Sequence, residues 1–281
     1  MEGSKGTEEF FDLTFSEEPA SYYHLLVTID QHWLHAAWYH STKNLITGYA
    51  RYPFRGSLQS LLKEHPYLAS EFKEVIVTIQ AENYLVYPKH VLDGSNPNIF
   101  RLTNTFEEDS QSLLTEELVS LQASISFTAP TDLVNEIYTH FKHVRILSHV
   151  HPRIEQEYNT VRSSQRNRPI FSAHIWNDQI DLRAYKEGKI YLANSYFQSG
   201  KEDVAYYVLY ACELLEIDPE EAKLVFSGDI EMGDPTWELL SKYWKEMEIV
   251  APLENISISD KLREISHPRY DYLTHSLLCV S

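Results

Sequence analysis

Glycine is scarce in this chain, at 9 of 281 residues. Loops that cradle phosphate rely on glycine to bring backbone amides close to the anion, so the raw material for such a loop is nearly missing. Cysteine is scarcer. The two residues, Cys212 and Cys279, lie far apart, and Cys212 falls on the apolar side of a predicted helix. Neither a disulfide framework nor a thiolate metal site is expected, and both read as packing residues. No apolar run approaches the roughly 20 residues that span a bilayer. The opening Met1-Glu2-Gly3-Ser4-Lys5 is polar where a signal peptide turns apolar, so a cytoplasmic protein without membrane insertion is expected. Positive charge is in deficit. With 24 Lys and Arg against 41 Asp and Glu the formal net charge is −17, which argues against nucleic-acid partners. Also missing are a Gly-x-Ser-x-Gly elbow, a Walker loop, a dinucleotide fingerprint and zinc-ligand spacing.

Period-two alternation is what the chain has in quantity. Leu25, Val27 and Ile29 alternate with His24, Leu26 and Thr28, and Leu34, Ala36 and Trp38 with His35, Ala37 and Tyr39, as in pleated strands. The pattern returns where Ile180, Leu182 and Ala184 alternate with Asp181, Arg183 and Tyr185. There the turn Lys186-Glu187-Gly188-Lys189 leads into Ile190, Leu192 and Asn194. Residues 22–54 and 170–197 thus each read as a three-strand meander, followed by a helix and a further strand. A block used twice predicts an α/β protein with two lobes around a cleft, and the length suits two units of roughly 150 residues.

The remaining elements fit that plan. Residues 1–21 read as an acidic lead-in with one short strand near 10–15. A helix over 57–64 carries Leu58, Leu61 and Leu62 inward and stops at His65-Pro66, and a buried strand covers 75–80. Strands around the loop 93–98 and the acidic Glu107-Glu108-Asp109 form an inserted subdomain over about 84–130. A helix over 131–141, with Leu133, Val134, Ile137, Tyr138 and Phe141 on one face, a strand over 143–148 and a helix over 150–162 complete a first lobe, 22–165. The second lobe is assigned 166–281. In it Ser199 and Glu202 form a capping box before a helix with the stripe Val204, Tyr207, Val208, Ala211, Leu214 and Leu215. Asp234-Pro235 opens another helix, with Trp237, Leu240, Trp244 and Met247 inward. Between 140 and 170, Lys142, Arg145, Arg153, Arg162, Arg166 and Arg168 outnumber Glu155 and Glu157 for a net +4, either a solvated helix and linker or a docking surface for acidic groups. Tyr191, Tyr196, Tyr206, Tyr207 and Tyr210 are dense enough that some should reach a surface.

The order meander, helix, strand, helix in each half resembles the duplicated actin-like (ribonuclease H-like) ATPase superfamily of actin, heat-shock chaperone ATPases and sugar kinases. More closely, Lys189-Ile190-Tyr191-Leu192-Ala193-Asn194-Ser195-Tyr196, Glu202-Asp203-Val204-Ala205-Tyr206-Tyr207-Val208-Leu209-Tyr210 and Leu224-Val225-Phe226-Ser227-Gly228-Asp229-Ile230 are similar to a bacterial family of unknown function with that predicted fold. Phe11-Asp12-Leu13-Thr14-Phe15 and Val86-Tyr87-Pro88 extend the similarity over nearly the whole chain. At the level of topology the chain is also similar to actin-like components of cell-division and pilus or secretion machineries, which dock other proteins.

The resemblance directs attention to two turns and a strand end. Superfamily members that hydrolyse ATP carry an Asp-x-Gly turn between the first two strands of each half, where the carboxylate organises magnesium. Here the turns are Asp30-Gln31-His32-Trp33 and Trp176-Asn177-Asp178-Gln179, without glycine, and Ser227-Gly228-Asp229 keeps one glycine where a pair would face adenosine. Asp30 and Asp178 either face each other across the cleft or are ordinary turn residues bonding their own backbone. With His32, Asn177, Ser227 and Gly228 they make up the candidate nucleotide site. His140, His143, His149 and His151 lack a carboxylate at ligand spacing, so no metal is expected. The expectation is a degenerate nucleotide site, no cofactor, and a cytoplasmic scaffold that binds an unidentified protein partner. The alternative is an ATP-binding phosphotransferase or ATPase that uses magnesium with Asp30 and Asp178. A scaffold would have side chains such as His32 and Trp176 blocking the cleft; an enzyme would have it open.

Overall fold

The alternating segments pair as the pattern predicts. The computed structural model describes residues 6–12, 15, 18–81, 83–89, 110–163, 168–176, 178–250, 256–263 and 273–279. Strand β1 (Glu8–Phe11) lies beside the third strand of the first meander, β2 (Tyr23–Ile29), β3 (Trp33–His40) and β4 (Leu45–Pro53). The meander is antiparallel, with Tyr23 opposite His40 and Trp33 opposite Pro53. After α1 (Leu58–Glu64), whose first turn is capped by the Ser57 hydroxyl accepting from Ser60 N–H, β5 (Glu74–Ile79) adds parallel to β2. Strands β6 (Tyr84–Pro88), β7 (Gln111–Leu118) and β8 (Ala123–Pro130) form a separate three-stranded antiparallel sheet. Helix α2 (Thr131–His140) returns the chain to the first sheet, where β9 (Val144–Ser148) pairs parallel to β5.

Helix α3 (His151–Ser163) leads to the second copy. There β10 (Ile170–Trp176), β11 (Gln179–Lys186) and β12 (Lys189–Phe197) form the antiparallel meander. Glu187 and Gly188 both take positive φ, 53° and 71°, the backbone twist that suits a two-residue hairpin turn. Helix α4 (Lys201–Leu214), β13 (Lys223–Gly228), α5 (Pro235–Leu240) and β14 (Glu246–Ile249) follow, with β13 and β14 parallel. The strand orders β4-β3-β2-β5-β9 and β12-β11-β10-β13-β14 are the same arrangement, third-second-first-fourth-fifth, so the repeated sequence pattern is a repeated topology.

Each sheet buries one apolar face under its own helices. Leu25, Val27, Ile29, Leu34 and Trp38 pack with Leu58, Leu61 and Leu62 of α1 and Leu133, Val134 and Ile137 of α2. In the second copy Phe171, Ala173, Ile180 and Leu182 pack with Val204, Val208 and Ala211 of α4. Each buried Leu, Ile, Val or Phe among them contributes roughly 1.5–3 kcal/mol. The opposite face of β10 and β11 is buried as well, yet it carries Ser172, His174, Asp181 and Arg183.

Several elements differ from the sequence-based expectation. The chain's end does not stay with the second sheet, as the assignment 166–281 has it. Strand β15 (Ser257–Ile258) pairs parallel to β4, and Leu262 of α6 (Asp260–Arg263) packs with Leu273, Cys279, Leu26 and Ile76 on the far face of the first sheet. An apolar face of the first sheet that its own helices leave uncovered is thereby buried. The Ser199 cap pairs with Asp203 instead of Glu202, which brings the carboxylate within 2.6 Å of the hydroxyl and 2.8 Å of the amide. Asp234 accepts from Glu231 N–H and closes the preceding turn, and α5 ends at Leu240, so Met247 lies on β14. Tyr138 and Leu214 point to solvent, and the early strand is Glu8–Phe11. The loops 93–98 and 107–109 and Arg166 lie outside the described residues.

Candidate functional site

The two first-strand turns meet at the junction of the two sheets. In the first turn Asp30 is 5% exposed. Its Oδ1 accepts both His32 N–H and Trp33 N–H at 2.7 Å, and its amide donates to Trp33 O at 3.0 Å. The amides that a phosphate would need in this turn are therefore engaged by the turn's own carboxylate. Oδ2 lies 3.8 Å from His35 Nε2, while Nδ1 of the same ring meets the Tyr49 hydroxyl at 2.7 Å. His32, expected to help block the cleft, is exposed instead. The buried Arg51 guanidinium stacks over the Trp33 ring at 3.6 Å.

The second turn is organised by Trp176. Its indole is buried, and the rings of His35, His149 and His174 lie edge-on to it at 6.4, 6.4 and 5.7 Å. Asp178 is exposed, so it does not meet the buried Asp30 as a paired carboxylate. Its carbonyl accepts from Gln198 N–H at 2.7 Å. Asn177 lies outside the described residues. The buried acid of this half is Asp181, three residues on. The His149 Nδ1 accepts Ala81 N–H at 3.2 Å, which leaves the ring proton on Nε2, 3.1 Å from Asp181 Oδ2. Asp181 also accepts from the Ser195 hydroxyl. Burial opposes the charge on Asp181, but the His149 N–H and the Arg183 charge beside it hold the carboxyl well below the usual range.

Ser227 and Gly228 close the site from β13. The Ser227 hydroxyl accepts from Arg153 Nη1 at 2.7 Å and lies 3.1 Å from His174 Nδ1, to which it can donate. His174 is thus an acceptor at Nδ1, and burial, then the Arg153 charge, keep the imidazole neutral. Gly228 has φ +86°, and a Cβ there would stand 2.0 Å from Ile175 O and 2.7 Å from the His174 ring. The glycine is explained by this close backbone approach alone.

Hydrogen bonds also join the halves around this site. Gln80 donates to Gln179 at 2.7 Å. Arg153, on α3, reaches Ser227 of the second sheet. Glu157, one helical turn further, accepts from Arg183 Nε and Nη2 at 2.7 and 2.9 Å, from Tyr185 at 2.8 Å and from Ser172 at 2.5 Å. The basic stretch 140–170 is accordingly no single surface: Lys142 pairs with Glu71, Arg168 with Glu246, and Arg153 is buried. Of the clustered histidines His151 bonds Glu116 and His149 faces Asp181, and no group of three metal-ligating side chains forms among the described residues. Sequence reasoning missed Asp181, His149, His174, Arg153 and Glu157.

Two solved structures define the class. A Bacteroides thetaiotaomicron protein described as having an actin-like ATPase fold and unknown function superposes with TM-score 0.73 at 18% identity, over 90% of this chain and 98% of that one. PilM in the PilM-PilN type IV pilus biogenesis complex superposes with TM-score 0.59 at 13% identity, over 93% and 99%. The fold is that of the actin-like ATPases, as the repeated strand order indicated. Residues 12–247 match the model of the family described as "Protein of unknown function (DUF3822)", and the chain belongs to that family. No protein of curated function matches it in sequence. None of the described helices is long and apolar enough to cross a membrane.

Proposed function

We propose that this protein is a non-catalytic, actin-fold scaffold that binds a protein partner in the cytoplasm, its nucleotide site having degenerated. The observation that carries the reading is Trp176, whose indole stands at the second turn among His35, His149 and His174. The first turn supports it, since Asp30 consumes the amides of His32 and Trp33. The direct Gln80 to Gln179 bond and the His149 to Asp181 contact tie the halves together where the superfamily holds nucleotide. Catalysis of phosphoryl transfer is almost entirely positioning and charge stabilisation around the phosphates, and buried aromatic rings supply neither. PilM, of the same fold, is found in complex with PilN, which gives the fold a precedent for protein docking. On α4, Tyr206 and Tyr210 are exposed and stack at 5.8 Å, a surface composition suited to protein contact.

The reading is tested by phosphate release from ATP in the presence of magnesium. Release at the rate of the protein-free buffer is expected. Turnover that is lost in Asp30→Ala would make the protein an ATPase or phosphotransferase.

A further inference from the structure

At the other end of the first sheet, where β2, β5 and β9 begin, lies a cavity of about 360 Å³. It is lined by His24, Lys73, Glu74, His143, Val144 and Arg145. On this face the strands are apolar further along, with Leu26, Ile76 and Leu147 in one cluster. At their starts the face turns polar: His24 stands opposite Glu74, and Arg145 is in register with Ile76, one pleat further along β5. Nothing in the fold requires three chargeable side chains at this point of a buried sheet face.

His24 is the informative residue. It is 1% exposed, Nε2 has no hydrogen-bond partner, and Nδ1 is 3.4 Å from Glu74 Oε2. A buried polar group without a partner is uncommon in folded proteins and calls for an explanation. Burial, followed by the charge of Lys73, holds its pKa below the ordinary histidine range, so the ring is a neutral imidazole; the Glu74 carboxylate draws its one N–H to Nδ1 and leaves Nε2 as an acceptor. Lys73 and Arg145 are exposed at the same cavity. Arg145 uses Nη1 on Cys279 O, one of the five N–H donors a guanidinium carries.

We propose that this cavity binds a small organic oxyanion, a phosphate monoester or carboxylate that also carries a hydroxyl. Lys73 and Arg145 neutralise the anionic group, and His24 Nε2 accepts from the ligand hydroxyl, the carboxylate of Glu74 being turned to the His24 Nδ1–H. The site lies away from Trp176 and stands whether or not the scaffold reading holds.

The test is calorimetric titration of the full chain with inorganic phosphate, glycerol 3-phosphate and malate, alongside Lys73→Glu. Because Lys73 is exposed, the variant is expected to melt within about a degree of the wild type. At least one hydroxylated anion is expected to bind more tightly than inorganic phosphate. Its Kd is expected to rise about tenfold or more in Lys73→Glu, the loss of a charge-assisted contact. The tighter of glycerol 3-phosphate and malate identifies the anionic group. In the wild type, the His24 ring resonances are expected to shift on saturation. Absence of binding by all three, equal affinity in wild type and Lys73→Glu, or binding that leaves the His24 resonances unmoved would each overturn the proposal.

Discussion

Replacing Gly228 by alanine is expected to destabilise the protein by about 2–5 kcal/mol. The left-handed backbone costs an L-residue about 1–2 kcal/mol, and overpacking a filled site adds about 1–3 kcal/mol. The first contribution follows from φ +86°, the second from Ile175 O at 2.0 Å and the His174 ring at 2.7 Å from the new Cβ. Neither neighbour can retreat easily. Ile175 O accepts from Asp229 N–H at 2.8 Å, and His174 is held between Ser227 and the edge of Trp176. The urea midpoint checks this, and a loss under about 1 kcal/mol would mean that β13 shifts freely against β10. A glycine that resembles the remnant of an adenosine-binding turn thus has a structural reason to be present.

Glu157→Ala is expected to cost about 3–5 kcal/mol, the usual penalty for leaving one partner of a buried ion pair without the other. Arg183 is 0% exposed, and Glu157 is the acceptor for two of its guanidinium bonds and for the Tyr185 and Ser172 hydroxyls. One carboxylate on α3 therefore accepts four hydrogen bonds from three residues on the polar face of the second sheet. The Arg183→Met partner variant separates the pair from the rest. Together the two substitutions should cost less than the sum of their separate costs, by about 1–3 kcal/mol, as expected for residues in direct contact. Simple additivity would show that Glu157 acts independently of Arg183.

The fold was legible because its signal is local. Leu25, Val27 and Ile29, and Ile180, Leu182 and Ala184, each bury one face of a strand under helices of the same half, so period-two alternation reports them. The junction was much less legible, for a physical reason. Asp181, Arg183 and Tyr185 alternate with apolar residues as a solvated face would, yet all three are buried, because that face turns toward α3. What distinguishes Arg183 and Tyr185 is the partner, Glu157, which is 26 and 28 residues away in the chain and is visible only once the helix is placed. Asp30 and Asp178 occupy equivalent turns, but Trp176 is buried against the histidines and leaves Asp178 outside, so equivalence in sequence did not become symmetry in space. The C-terminal return to β4 escaped for the same reason as the junction: Ser257 and Ile258 pair with a strand some 200 residues earlier.

The most direct test of the scaffold reading is the melting temperature of the purified protein titrated with magnesium and ATP, ADP or GTP. A ligand at one hundred times its Kd stabilises the native state by about 2.7 kcal/mol, a few degrees for a chain of this size. With Trp176 packed among three histidines and the first turn's amides bonded to Asp30, no shift is expected up to millimolar nucleotide. A saturable rise that disappears in Asp30→Ala would contradict the account and place a working nucleotide site between the two sheets.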